Sequence, residues 1–294
     1  MKHKEIVLIS GKGGTGKTSM TASLIPYFPK LVIADCDVDA PDLDILLEPK
    51  ILQKEDFIAT AKAVIDSSKC INCGNCINVC RFNALSPGDN TPVVKEVYCE
   101  GCNACSLVCS SDAISIAPYK TGEIFDSVTE FGPMIHARLT PGEEVSGRLV
   151  SEVRKRGKKK AEETNAEVML IDGPPGIACN VISSITGANL AIIVTEPTTS
   201  GLHDLIRVHD TAKKLKVPTA VIINKDGLSS EYSNKIVSYT ETQGIILLGR
   251  IPLSNKILDS INNKKIPSIN AKDFFISNGW ELIINNINKM IYSS

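Results

Sequence analysis

Gly11-Lys12-Gly13-Gly14-Thr15-Gly16-Lys17-Thr18 decides the architecture of this chain. The residues before it, Glu5-Ile-Val-Leu-Ile-Ser10, predict a buried parallel strand, and Ser19 to Ile25 after it predicts a helix. Strand, glycine-rich turn and helix in that order are the context a P-loop requires; a glycine turn with no ligand is the bland alternative. The glycines let backbone N–H groups curl around phosphates, and the helix N-terminus adds the favourable end of its dipole. Lys17 is placed to reach the β- and γ-phosphates of a nucleotide and Thr18 to offer its hydroxyl to Mg²⁺. Gly11, Lys12, Gly13, Gly14, Thr15, Gly16 and Ser19 complete the predicted loop.

Working outward, further apolar runs end in polar groups. Leu31 to Ala34 leads into Asp35-Cys36-Asp37-Val38-Asp39-Ala40-Pro41-Asp42, and Val168 to Ile171 into Asp172-Gly173-Pro174-Pro175-Gly176. Leu190 to Val194, Thr219 to Ile223 and Ile245 to Leu248 are further strands, with a helix from about 200 to 215. Alternating strands and helices with ligand groups at strand ends predict a doubly wound, mostly parallel α/β sheet. Asp172, an acid closing an apolar strand, is a Walker B group that holds Mg²⁺ directly or through water. Among Asp35, Asp39 and Asp42, one is expected to serve as a cap or turn residue, and Cys36 reads as a packed small residue.

The cysteines form a second pattern. Cys70, Cys73, Cys76 and Cys80 share their spacing with Cys99, Cys102, Cys105 and Cys109, so the stretch is an internal repeat. Three close thiolates and a fourth set apart suit [4Fe–4S] clusters in which each fourth Cys serves the other cluster. This groups Cys70, Cys73, Cys76 and Cys109 on one cluster, and Cys80, Cys99, Cys102 and Cys105 on the other. Zinc sites do not use this triple spacing twice, and a disulfide framework needs an oxidising compartment that nothing here suggests. Pro87-Gly88-Asp89-Asn90 marks a turn between the halves.

Of the 294 residues, 43% are hydrophobic and 22% charged, with a net charge of −1, which describes an ordinary globular chain with no global pull toward nucleic acid or an acidic membrane. The opening Met1-Lys2-His3-Lys4-Glu5 runs straight into a strand without a secretory pattern, and no apolar run reaches about 20 residues. A cytoplasmic, reducing setting is expected, with no membrane and no nucleic-acid partner. Ile124 to Thr129 and Met134 to Leu139 predict a hairpin across Phe131-Gly132-Pro133. Gly142 to Lys160 predicts an amphipathic helix with Val145, Leu149 and Val153 on one face; its basic tail is a solvated helix end or a dock for an acidic partner. Phe274 to Ile291 predicts one helix with Ile276, Trp280, Ile283, Ile284, Ile287 and Ile291 inward, packed on the sheet.

Lys12, directly after the first glycine, resembles the deviant Walker A motif of the MinD, ParA, ArsA and nitrogenase iron protein superfamily. That resemblance covers nearly all of 1–62 and 119–294. It implies an ATPase that is a homodimer in its ATP state, with Lys12 of each subunit reaching the partner's nucleotide. It further implies that Asp37 orients or deprotonates the attacking water, that Gly176 donates its amide to the γ-phosphate, and that Asn224 recognises adenine. Asp226, two residues on, is similar to guanine-binding proteins as well, so ATP rather than GTP rests on the Walker A form. Cys179 stands seven residues after Asp172, an offset similar to the nitrogenase iron protein's interface cluster ligand; a buried structural Cys is the alternative. Residues 63–118 resemble a bacterial two-cluster ferredoxin inserted in the ATPase, with Arg81 and Ser110 where that family carries Pro. Together these resemblances imply ATP, Mg²⁺ and two [4Fe–4S] clusters, and a metalloprotein or redox client. Three uses of the cycle follow: assembly or delivery of a metal or iron–sulfur cofactor, nucleotide-gated electron donation, or partitioning with a structural ferredoxin insert.

Overall fold

A computed structural model describes residues 3–144 and 146–292. Met1 and Lys2 of the opening segment and Val145 of the predicted helix lie outside them. The strands are β1 (Lys4–Ser10), β2 (Leu31–Asp35), β3 (Lys50–Ile65), β4 (Leu85–Ser86), β5 (Val93–Val94), β6 (Ile114–Thr129), β7 (Gly132–Leu139), β8 (Val168–Pro175), β9 (Leu190–Thr195), β10 (Thr219–Asp226) and β11 (Ile246–Pro252). Nine of them form one sheet in the order β11-β10-β9-β1-β8-β2-β7-β6-β3, while β4 and β5 pair only with each other. From β11 to β7 every neighbouring pair is parallel. The chain leaves β1 toward β2 on one side and later occupies β9 on the other. A doubly wound sheet takes its ligand beyond the C-terminal strand ends at such a reversal.

The central strands are apolar on both faces because helices cover both. Ile6, Leu8, Ile33, Leu170, Ile192 and Ile222 share one core with Met20 and Leu24 of the helix Lys17–Leu24 and with Phe275 and Trp280. The ring of Trp280 meets Phe275 edge-on at 4.8 Å and Tyr27 at 6.4 Å. No helix among the described residues is long and apolar enough to cross a membrane.

Several sequence boundaries move. The C-terminal helix is two helices, Lys272–Ser277 and Trp280–Tyr292. Gly279 between them is left-handed (φ 78°), and the turn carries Ile276 out of the inward set, leaving it 44% exposed. The amphipathic helix is Ser146–Glu163, and Leu149 and Val153 are buried on it. The hairpin turns at Glu130 and Phe131, since β7 already begins at Gly132, and β6 begins ten residues before Ile124. β11 starts at Ile246 and includes Arg250-Ile251-Pro252, which the sequence placed beyond it. β3 has no counterpart in the sequence reading: its exposed Lys-Ile-Leu-Gln-Lys-Glu-Asp start shows no apolar face.

The chain divides into two compact units. One takes the residues up to Lys54, Ile124–Arg138 and the chain from Ser146 onward. The other takes Glu55–Glu123 and the short segment that begins at Leu139.

Candidate functional site

In the sheet unit, β1 delivers the glycine loop to the N-terminus of the helix Lys17–Leu24. Gly16 is left-handed (φ 86°), and a Cβ there would fall 2.2 Å from Asn224 Nδ2, so both backbone and space demand glycine. Gly11 is needed for a different reason: a Cβ would meet Asp204 Cβ at 2.3 Å. A cavity of about 550 Å³, within the range of small-molecule sites, opens beside the loop. Gly13 to Ser19 line one side, Asp37, Asp39 and Asp42 another, and Asn224 with Pro252-Leu253-Ser254 and Ile257 the far wall. Gly11 and Lys12 do not belong to this lining.

Lys17 is buried, with its Nζ 2.9 Å from Asp172 Oδ1 and 3.3 Å from Asp37 Oδ2. Burial pulls its pKa down, but Asp172, Asp37 and Asp35 outweigh burial and leave it raised. Asp172 is fully buried and accepts hydroxyl hydrogen bonds from Thr18 (2.7 Å) and Thr21 (2.6 Å). A carboxylate and a hydroxyl at hydrogen-bond distance beside a phosphate-sized cavity are the hard oxygen donors that Mg²⁺ takes. Asp37 is pushed up to about 6 by burial, against the pull of Lys17. Asp35 is driven well above the carboxylate range by burial and by Asp172; one of its oxygens accepts the Asp37 amide at 3.0 Å and the other has no partner. Asp35 is therefore the turn residue of the acidic run. Asp39 accepts from Asn180 Nδ2 at 3.3 Å, and Asp42 precedes the helix Leu43–Leu47. Cys36 is fully buried and its thiol is held protonated by burial.

Other predicted residues are engaged within the chain. Lys12 Nζ pairs with Glu196 Oε1 at 2.7 Å and donates to Ser200 Oγ at 2.8 Å. Glu196 also binds Lys225 Nζ at 2.9 Å, and Lys225 donates to Gly14 O at 2.6 Å. Burial would raise the Glu196 carboxyl, but the two lysines hold it below its ordinary value. Sequence reasoning assigned no part to Glu196 or Lys225; the available signal was an acid closing β9 as Asp172 lies on β8. Asn224 Nδ2 donates to Thr15 O at 2.8 Å, and the Gly176 amide donates to Ser10 O at 2.8 Å. Asp226 is held low by Ser233 (2.6 Å) and Arg250 (2.9 Å) despite burial, so its carboxylate is occupied rather than offered to a guanine. Cys179 is exposed and opens the helix Cys179–Ile185, so the buried alternative does not hold.

In the other unit the cysteines fall into two cavities. Cys70, Cys73, Cys76 and Cys109 line one; Cys80, Cys99, Cys102 and Cys105 line the other. The halves share a backbone pattern. Asn72 (φ 53°) and Gly74 (φ 78°) correspond to Gly101 (φ 60°) and Asn103 (φ 68°), and Asn83 (φ 53°) to Asp112 (φ 49°). The Ala84 amide donates to Cys80 Sγ at 3.4 Å and the Ala113 amide to Cys109 Sγ at 3.3 Å. Cys70 and Cys99 accept from the amides of Asn72 and Ala63, both at 3.4 Å. None of the ten cysteines is joined in a disulfide. Among the described residues no three His, Cys, Asp or Glu side chains converge on a single ion. Each quartet lines a space of about 20 Å³.

The model of the CobQ/CobB/MinD/ParA nucleotide binding domain matches residues 6–267. An uncharacterized protein of Methanocaldococcus jannaschii is 35% identical over 268 residues, 89% of this chain and 92% of its own. The iron-sulfur cluster carrier protein of the same organism is 26% identical over 286 residues, 92% of this chain and 78% of its own. Among solved structures, the septum site-determining protein MinD of Pyrococcus horikoshii, complexed with Mg-ADP, aligns with a TM-score of 0.58 at 17% identity. The alignment covers 99% of this chain and 98% of that one, and the likeness is one of fold.

Proposed function

Because the chain belongs to the CobQ/CobB/MinD/ParA nucleotide-binding family, we propose that it is an ATPase whose dimer cycle serves the assembly or delivery of a metal or iron–sulfur cofactor. One observation carries this reading: two four-thiol cavities stand in the same chain as a P-loop cavity. The carrier protein among its relatives supports it.

ATP would enter the cavity beside Gly13 to Ser19. Lys17 would exchange the carboxylates of Asp37 and Asp172 for phosphate oxygens, and Thr18 and Asp172 would hold Mg²⁺, which when bound neutralises phosphate charge. Asp37, released from Lys17, aims the water and accepts its proton. Lys12 must leave Glu196 and Ser200 before it can reach a partner's nucleotide. The Gly176 amide must leave Ser10 before it can meet a γ-phosphate, which makes the Asp172–Gly176 segment a two-position switch. Asn224 braces the loop through Thr15 while facing the base side of the cavity. Cys70, Cys73, Cys76 and Cys109 would hold one [4Fe–4S] cluster and Cys80, Cys99, Cys102 and Cys105 the other; when bound, such clusters supply one-electron chemistry. The residues near 63–118 form the ferredoxin-like insert of this reading.

The test is anaerobic purification followed by iron and acid-labile sulfide analysis, ATPase assay, and transfer of iron–sulfur to an apo-ferredoxin acceptor with ATP or ADP. About eight iron per chain, ATP-dependent transfer, and a loss of hydrolysis on the order of 100-fold or more in Lys17→Ala are expected. Full clusters with no transfer, and potentials that differ between the ATP and ADP states, would favour the electron donor instead.

A further inference from the structure

The pseudo-symmetry of the cysteine halves is broken by one buried cation. Lys62 is 5% exposed. Its Nζ donates to Glu96 O at 2.7 Å, pairs with Glu143 Oε1, and lies 4.3 Å from the centre of the Tyr119 ring. Tyr119 in turn donates its hydroxyl to Glu96 Oε2 at 2.9 Å. The same Glu96 carbonyl accepts the Cys99 amide at 3.1 Å, and the Ala63 amide, next in the chain to Lys62, donates to Cys99 Sγ. Lys62 thus reaches Cys99 by two short routes. In the first half the Cys70 amide goes to Asp66 O, one residue earlier in the repeat, and the Asp66 carboxylate is shared by Ser68 and by Lys69 at 3.8 Å, a cation that is exposed rather than buried.

We propose that Lys62 raises the reduction potential of the group held by Cys80, Cys99, Cys102 and Cys105, and that Glu143 moderates it. The proposal rests on the reading of the eight cysteines as ligands of two [4Fe–4S] clusters. Reduction adds one electron to the cluster, and a buried cation that shares a carbonyl with a ligand's amide favours the more negative state. Glu100 lines the same cavity and opposes the effect, but it is exposed and therefore screened. The Tyr119 face and the Glu96 carbonyl fix the ammonium so that its field is not averaged away. Glu143 lies outside the cysteine stretch, in the segment that follows β7. Withdrawing its carboxylate would leave Lys62 uncompensated and make this cluster easier to reduce, while the other cluster is untouched.

The experiment is an EPR-monitored potentiometric titration of the anaerobically purified full chain and of Lys62→Met and Glu143→Gln, after iron and sulfide analysis of each. Lys62→Met should lower one of the two couples and Glu143→Gln should raise that same couple, with the second couple unmoved in both. A Cys102→Ser variant identifies the couple by its altered EPR signal. Opposite shifts from neutralising the two partners are not expected of residues that only brace the fold. Shifts of the same sign, shifts shared by both couples, or an unmoved couple would overturn the proposal. If Lys62→Met fails to keep its clusters, the rise in Glu143→Gln decides alone. Wild-type protein without iron would instead defeat the cluster reading itself.

Discussion

The nucleotide-loop unit and the cysteine-bearing unit hold their guests in opposite ways. In the first, a large apolar core supports the glycine loop, and the charged groups of the loop and its surroundings already satisfy one another: Lys17 with Asp172 and Asp37, Lys12 and Lys225 with Glu196. In the second, the buried core is Ala63, Cys76, Leu85, Cys105 and Ile114, so that two of its five members are candidate ligands. A core that small contributes little by burial. On the proposed two-cluster reading, the sheet unit is organised before its guest arrives, whereas the cysteine unit would be completed by its guest.

If the cysteines hold the proposed clusters, the largest expected effect comes from removing iron. Treatment with a chelator under reducing, anaerobic conditions should abolish amide-exchange protection across Cys70–Cys109, because binding free energy there is folding free energy. β1 and β8 should keep their protection. Persistent protection in the iron-free segment would break the contrast.

Gly16→Ala tests the other side. Its left-handed backbone and the 2.2 Å approach to Asn224 should cost about 1–3 kcal/mol, read as a lower Tm, with nucleotide affinity lost as the loop shifts. A variant of unchanged Tm would mean the loop is softer than its packing indicates.

A smaller effect follows from Asp37. With its carboxyl at about 6, kcat/KM for ATP should fall roughly tenfold per pH unit below that value as the base is protonated. Asp37→Asn should be slow at every pH and lack this limb. The same raised pKa means the folded protein binds this proton more tightly than the unfolded chain. Its contribution therefore favours folding below the unfolded carboxylate value and is lost as pH rises through about 6.

The smallest effect is Glu196→Gln. It frees Lys12 from a partly exposed pair worth about 1 kcal/mol, so ATP-driven dimerisation should need roughly fivefold less ATP by sedimentation. No change would show that the pair does not restrain Lys12.

What the sequence made legible was local. Gly11 to Thr18 and the two cysteine runs stand out because each pattern lies within a few residues of chain, and Asp172 because it ends an apolar run. What it hid was pairing across the fold. Glu196 lies 184 residues from Lys12, and no spacing rule joins them. Asn224 was read toward the base, and its amide donates to the loop, a contact that exists only once β9 joins β10 to β1 in the sheet. Gly279 was absorbed into a helical period whose apolar positions it interrupts, and β3 lacks the alternation by which strands are recognised.

The left-handed positions recur at matching places in the two cysteine halves. One run places Asn then Gly at its two positive-φ sites, and the other places Gly then Asn. If the halves arose by duplication, drift has exchanged the residues while the dihedral angles stayed. What the four sites share is a handedness of the chain, yet the two glycines differ: around Gly74 the space is open to a side chain, whereas at Gly101 a Cβ would meet Ala61 O at 2.1 Å, so there handedness and space both demand glycine.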